Sequence, residues 1–204
     1  MRAVHALNRA ANSNPVRRFA RRAAAVAALA IFVAIAIPVA DSARGEGFQT
    51  LTEPNFKFTI QIPDDWGVAL TPSNDYRISG PPESDAANAS IIIQIILKSA
   101  NPGSSASDQL QRLAPKFAEV PGFRFIRDGS AEIAGTQAPF FLVGYGAENA
   151  TGNTEPFQHI QVALDHDAHY YLLSYSAPER LFDTYLKVFQ HFSATFSFAA
   201  AVQP

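Results

Sequence analysis

Between Phe56 and Pro63 the chain reads FKFTIQIP, with Phe56, Phe58, Ile60 and Ile62 alternating against Lys57, Thr59 and Gln61. A period of two predicts a strand with one buried and one polar face. Pro63 ends it, Asp64 and Asp65 supply the turn, and Trp66 opens the next segment. The residues from Ser73 to Asn88 are rich in Gly, Pro, Asn and Asp and read as a loop, with room for a short strand over Tyr76–Ser79. SIIIQIILK (Ser90 to Lys98) is apolar on both parities, so this strand needs cover on both faces of its sheet. Ser105 stands three residues ahead of Asp108, followed by Leu110, Leu113, Ala114 and Phe117 at helical spacing. That predicts a capped helix, kinked or cut short at Pro115.

A series of strands follows: Phe123–Asp128, Ala131–Gly135, Ala138–Glu148, Pro156–Asp165 and His169–Ser176, with short links at GTQ and HDA that suit hairpins. An antiparallel meander is the economical topology. Ser176 lies three residues before Glu179, with Pro178 between, and this spacing predicts a second capping box. Leu181, Tyr185, Val188, Phe189 and Phe192 then recur at three-four spacing, the pattern of an amphipathic helix laid on a sheet. No repeat and no glycine-rich phosphate loop appears, and no cofactor is implied.

Charge changes the picture at the front of the chain. All 18 Asp and Glu lie at or beyond Asp41, whereas six of the 16 Lys and Arg precede it, so an overall −2 conceals a body of 10 basic and 18 acidic residues. The uncharged run AAAVAALAIFVAIAIPVA (Ala23 to Ala40) follows RRFARR directly. Positive charge, apolar stretch and small residues in that order describe an export signal, with a cut after Ser42 or Ala43. An uncleaved anchor is the alternative. The chain then divides into a leader (1–43), a linker (44–55), one domain (56–198) and a tail (199–204), and belongs in the periplasm or outside the cell. There is no cysteine, which removes disulfides, thiolate ligands and Cys nucleophiles. An acidic body without a Lys/Arg cluster makes nucleic acid an unsuitable partner. The membrane enters only through the N-terminal segment, if that segment is left uncleaved.

Three stretches carry a family resemblance: FKFTIQIPDDW, NASIIIQI and DAHYYLLSYSAPERLFDTYLKVFQHFSATFSF. In their order and spacing they resemble the PsbP-like family, the fold shared by photosystem II extrinsic proteins and the Ran-binding Mog protein. FKFTIQIPDDW departs from that family's opening strand by two extra residues. The resemblance implies an α+β fold, an α/β/α sandwich with a central antiparallel sheet and helices on both faces. It also implies a non-enzymatic accessory protein that binds or helps assemble a protein partner.

The candidate chemistry is sparse. DHDAH places Asp165, His166, Asp167 and His169 within five residues, a mixture of imidazole and carboxylate that suits a divalent transition metal. A hairpin turn selects the same residue types, and turning the chain here leaves Asp165 and His169 as the pair best able to bind a metal weakly. No G-x-S-x-G occurs, so a hydrolase is the remotest reading. His159 reads as part of a polar sheet face, and His191 as part of the last helix's polar side. For recognition, Tyr145 and Phe157 bracket the polar loop GYGAENATGNTEPF. Trp66 is either a core plug or a ligand platform. N-x-S/T triplets begin at Asn88 and Asn149.

Overall fold

The computed structural model describes residues 47–148 and 152–199; the leader, Asn149 and the last residues of the tail lie outside them. Ten strands form two sheets: β1 (Phe48–Glu53), β2 (Phe58–Pro63), β3 (Gly67–Leu70), β4 (Tyr76–Ser79), β5 (Ser90–Leu97), β6 (Arg124–Ile133), β7 (Thr136–Glu148), β8 (Thr154–His166), β9 (His169–Pro178) and β10 (Ser197–Phe198). Among the described residues two α-helices accompany them, α1 (Ala106–Ala118) and α2 (Glu179–Thr195). The main sheet has seven strands in the order β3-β4-β5-β9-β8-β7-β6, and every pair is antiparallel. A smaller sheet has the order β1-β2-β10.

The alternating side chains of the main sheet divide the core in two. Ile160, Val162 and Leu164 of β8 and Tyr171, Leu173 and Tyr175 of β9 point to one side. There they pack with Phe182, Phe189 and Phe192 of α2 and with Phe58, Ile60 and Ile62 of β2. Phe141 and Val143 of β7, Ala163 and Leu172 point to the other side, beneath Leu110, Leu113 and Phe117 of α1. The sheet is covered on both faces, in the three-layer α+β arrangement expected from the sequence. Ile91 and Ile93 of β5 are fully buried, while Ile92 on the opposite parity is half-buried.

Several elements differ from the sequence reading. The stretch 44–55 is not simply a linker: residues 48–53 form β1, paired with β2 from Phe48 opposite Pro63 to Glu53 opposite Phe58. Its Leu51 packs against the core, but only Phe48 beside it is apolar, too little to announce a strand. FRFIRD and AEIAG are one strand, β6, which runs through Gly129, and the turn to β7 is Ala134–Gly135 with positive φ at both residues. Pro115 does not end α1, which continues to Ala118. Ser105 caps α1 with Asp108 as predicted, each side chain bonding the other's backbone N–H. The second capping box does not form: α2 has Pro178 at its N-cap and no side-chain cap, because Ser176 belongs to β9 and faces away from the helix. Among the described residues no helix is long and apolar enough to cross a membrane.

Candidate functional site: an aromatic ledge over a neutral polar network

Tyr145 and Phe157, at the two ends of a polar loop in the sequence, are direct cross-strand partners on β7 and β8. Their rings lie 6.1 Å apart and 16° from parallel, stacked and half-buried on the face that carries α1. Phe117 reaches over from the last turn of α1, 6.1 Å from Tyr145 and 5.6 Å from Phe141. Phe123, on the turn leading into β6, packs into the same cluster. Next along β6, Phe125 and Ile126 are 40% and 39% exposed, at a bulge where the register with β7 slips between Phe125 and Arg127. Bulges re-aim side chains at sheet edges. Together these residues make an aromatic ledge that begins under α1 and runs out to the edge strand.

Beneath the ledge lies a network of uncharged polar groups. His159 sits opposite Ser176 across the β8–β9 pair, and Gln161 sits opposite Ser174. The His159 Nδ1 is 2.6 Å from the Ser176 Oγ, and its Nε2 is 3.1 Å from the Gln161 Oε1. Gln161 donates its Nε2 to the Leu173 carbonyl, which leaves its Oε1 as an acceptor. The proton of the neutral imidazole is therefore on Nε2, and Nδ1 accepts from the Ser176 hydroxyl. Burial, the dominant cause, lowers the His159 pKa from 6.5 to about 4, against a smaller opposing effect of Gln161. Burial likewise raises that of Tyr145, opposed by a side-chain hydrogen bond with Ser176. The connectivity matches a nucleophile, base and orienting group, yet an imidazole so weakened is far from the neutral basicity that general-base catalysis favours. His159 thus lies on a polar stretch of the sheet face, as its alternation with Ile160 and Val162 suggested, but that stretch is buried beneath α1. The signal for the network was present in two strands at once, His159 with Gln161 and Ser174 with Ser176, but only the register brings them together.

The opposite face of this corner is braced by charge. Arg124 lies across Gly144, where an added Cβ would sit 2.3 Å from the arginine Nε, and its guanidinium meets Glu179 at 2.6 Å. Gln158 donates to the same carboxylate at 3.2 Å, and Arg180 reaches Glu155 at 3.1 Å. The first residues of α2 are tied in this way to β6 and β8, directly behind the ledge.

The other predicted residues fall elsewhere. At the β8–β9 hairpin, Asp165 pairs with Tyr170 and His166 with His169, so the loop is Asp167–Ala168, with Asp167 at φ 48°. Cross-strand partners share a face and sequence neighbours alternate, which puts Asp165 and His169 on opposite faces. The predicted Asp165/His169 pair is not brought together. Asp165 bonds Lys98, which also donates to the Asp167 carbonyl. His166 stacks on Phe198 at 3.6 Å with its Nε2 3.4 Å from the Asp167 carboxylate, and His169 meets Phe56 edge-on at 5.4 Å. Among the described residues no three His, Asp or Glu side chains are grouped to hold a metal ion. Trp66 is 5% exposed and packs 6.1 Å from Tyr185, which makes it a core residue rather than a platform. His191 is not on a free polar face of α2: it stacks on Phe48 at 3.8 Å and bonds Gln61 at 3.0 Å, joining the helix to the small sheet.

This geometry defines an α+β protein with helices on both faces of an antiparallel sheet and a site built from aromatic rings and neutral polar groups. Solved structures share the architecture. Cyanobacterial PsbP from Synechocystis sp. PCC 6803 superposes with a TM-score of 0.52 at 12% identity, covering 79% of this chain and 98% of that one. The Ran-binding protein Mog1p of Saccharomyces cerevisiae gives 0.51 at 12% identity, over 76% and 96%. LpqN of Mycobacterium tuberculosis, involved in cell envelope biogenesis, gives 0.50 at 15% identity, over 75% and 91%. The chain has the PsbP/Mog1 fold. No family model matches it, and no curated protein matches it in sequence.

Proposed function

We propose that this is an exported, non-enzymatic accessory protein that binds a protein partner through the aromatic ledge. The observation that carries the reading is the stacked Tyr145–Phe157 pair, continued by the exposed Phe125 and Ile126 on an edge strand. Tyr, Phe and Arg are the side chains that dominate protein interfaces, because they bury large, rigid area at small entropic cost. Two contacts position the ledge: Phe117 of α1 packs against Tyr145 on one face, and the Arg124–Glu179 pair ties β6 to α2 on the other. The basic, then apolar, then small-residue order of the first 43 residues supports export. Among proteins of this fold, Mog1p is a Ran-binding protein and LpqN takes part in envelope biogenesis. Both are compatible with binding rather than catalysis as the use of the scaffold.

The test is crosslinking and affinity capture from envelope fractions with the wild-type protein, Tyr145→Ala and Phe125→Asp. A specific partner should be captured by the wild type and weakened by about 2 kcal/mol, roughly 30-fold, in each variant, with circular dichroism unchanged. A partner retained equally by all three proteins would place the interface elsewhere.

A further inference from the structure

Helix α1 is seated on less apolar surface than α2. Each helix buries one unpaired polar atom, the Ser193 Oγ in α2 and in α1 the Nε2 of Gln109, which is 4% exposed. A buried donor left unpaired weakens the seat that holds it. Pro115 lies inside the helix and removes one of its hydrogen bonds. The apolar cluster it covers is the smaller of the two. Under its last turn, 4.7 Å from Phe117, lies the buried ring of His159.

Among the described residues no charge on any element packed against that ring compensates it. From β7 the titratable group facing it is Tyr145; β8 contributes Gln161, β9 Ser176 and α1 Phe117, all uncharged. The charged residues of α1 are engaged or exposed elsewhere: Asp108 in the cap with Ser105, Arg112 with Asn101 and Ser104, and Lys116 on the exposed side. We propose that α1 is a proton-linked lid, which lifts from β7 and β8 as a unit, short of global unfolding, and takes up one proton at His159 when it does.

Linkage sets the direction. Closed, the imidazole is held neutral down to about pH 4; lifted into water it titrates near its ordinary 6.5. The open state therefore binds the proton first, and across that interval each unit of acidification multiplies the open population about tenfold. Lifting uncovers Phe141, Val143, Ala163 and Leu172, an apolar strip continuous with the ledge.

Hydrogen–deuterium exchange of the full chain at about pH 7, 6 and 5, corrected for intrinsic rates, tests this. Amides of α1 should be less protected than those of α2 at every pH, and should lose protection about tenfold per unit below roughly pH 6.5. Gln109→Leu should raise α1 protection at every pH and leave the slope unchanged, whereas His159→Gln should abolish the slope. Equal protection of α1 and α2, an α1 protection independent of pH, or a slope that survives His159→Gln would each overturn the proposal. If His159→Gln fails to fold, the wild-type slope and the Gln109→Leu comparison still decide it, a loss of protection in Gln109→Leu counting against the proposal.

Discussion

His159 shows how one side chain can be determined by its position across a sheet rather than along a strand. In β8 it alternates with apolar residues and resembles a surface histidine, but the register sets it against Ser176 and the helix above excludes water. Its folded pKa lies below the unfolded value, so its contribution to stability is complete above about pH 6.5. It declines as pH falls from there towards 4, where the folded state also takes the proton. The whole interval is worth about 3 kcal/mol. Urea denaturation at about pH 7, 5.5 and 4.5 should show the midpoint falling steadily, and His159→Gln should remove most of that dependence. The same logic explains why Ser176 does not cap α2. Ser-x-x-Glu is a sound helix-start signal, but the hydroxyl is drawn to the imidazole on the far face of the sheet. A sequence read one segment at a time does not contain that competition.

At the scale of elements, the two serines provide a contrast. Ser105 is a working cap: its hydroxyl accepts from the Asp108 N–H at 3.2 Å, and the Asp108 carboxylate accepts from the Ser105 N–H at 2.7 Å. Ser105→Ala should cost about 1 kcal/mol and loosen the first turn of α1 alone. Ser176→Ala should leave the start of α2 intact, since Pro178 occupies its N-cap. Its cost, about 1 to 3 kcal/mol for the unpaired Nδ1, should appear as a shifted His159 resonance rather than as lost helix. Chemical denaturation together with amide and imidazole NMR of both variants would separate these effects. Local signals made the short strand Tyr76–Ser79, the cap at Ser105 and the stripe of α2 legible in the sequence. β1 was not legible, because FQTLTE is mostly polar and earns its place by pairing with β2.

For the whole molecule, Phe196 is the residue where the layers meet. It is 2% exposed, 5.4 Å from Phe58 of β2, 5.8 Å from Phe192 of α2 and 6.4 Å from Tyr171 of β9. Phe196→Ala should cost about 3 to 5 kcal/mol, measured as loss of the denaturation midpoint without change in its slope. The ledge was half legible at this scale. Tyr145 and Phe157 stood out as bulky residues beside a polar loop, whereas the contributions of Phe117, Phe123 and Phe125 depend on which elements become neighbours. The hairpin illustrates the converse: Asp165 and His169, close in sequence, are parted by alternation, Asp165 held by Lys98 and His169 against Phe56.

The small sheet has a further consequence. β2 is paired on one side by β1, immediately before it, and on the other by Ser197 and Phe198 of β10, the last strand among the described residues. The hairpin of β1 and β2 joins neighbours in sequence, whereas the pairing of β2 with β10 joins residues from opposite ends of the described domain. Closing the long loop between them costs more chain entropy than closing the hairpin, so the small sheet is a quick hairpin sealed by a slow clasp.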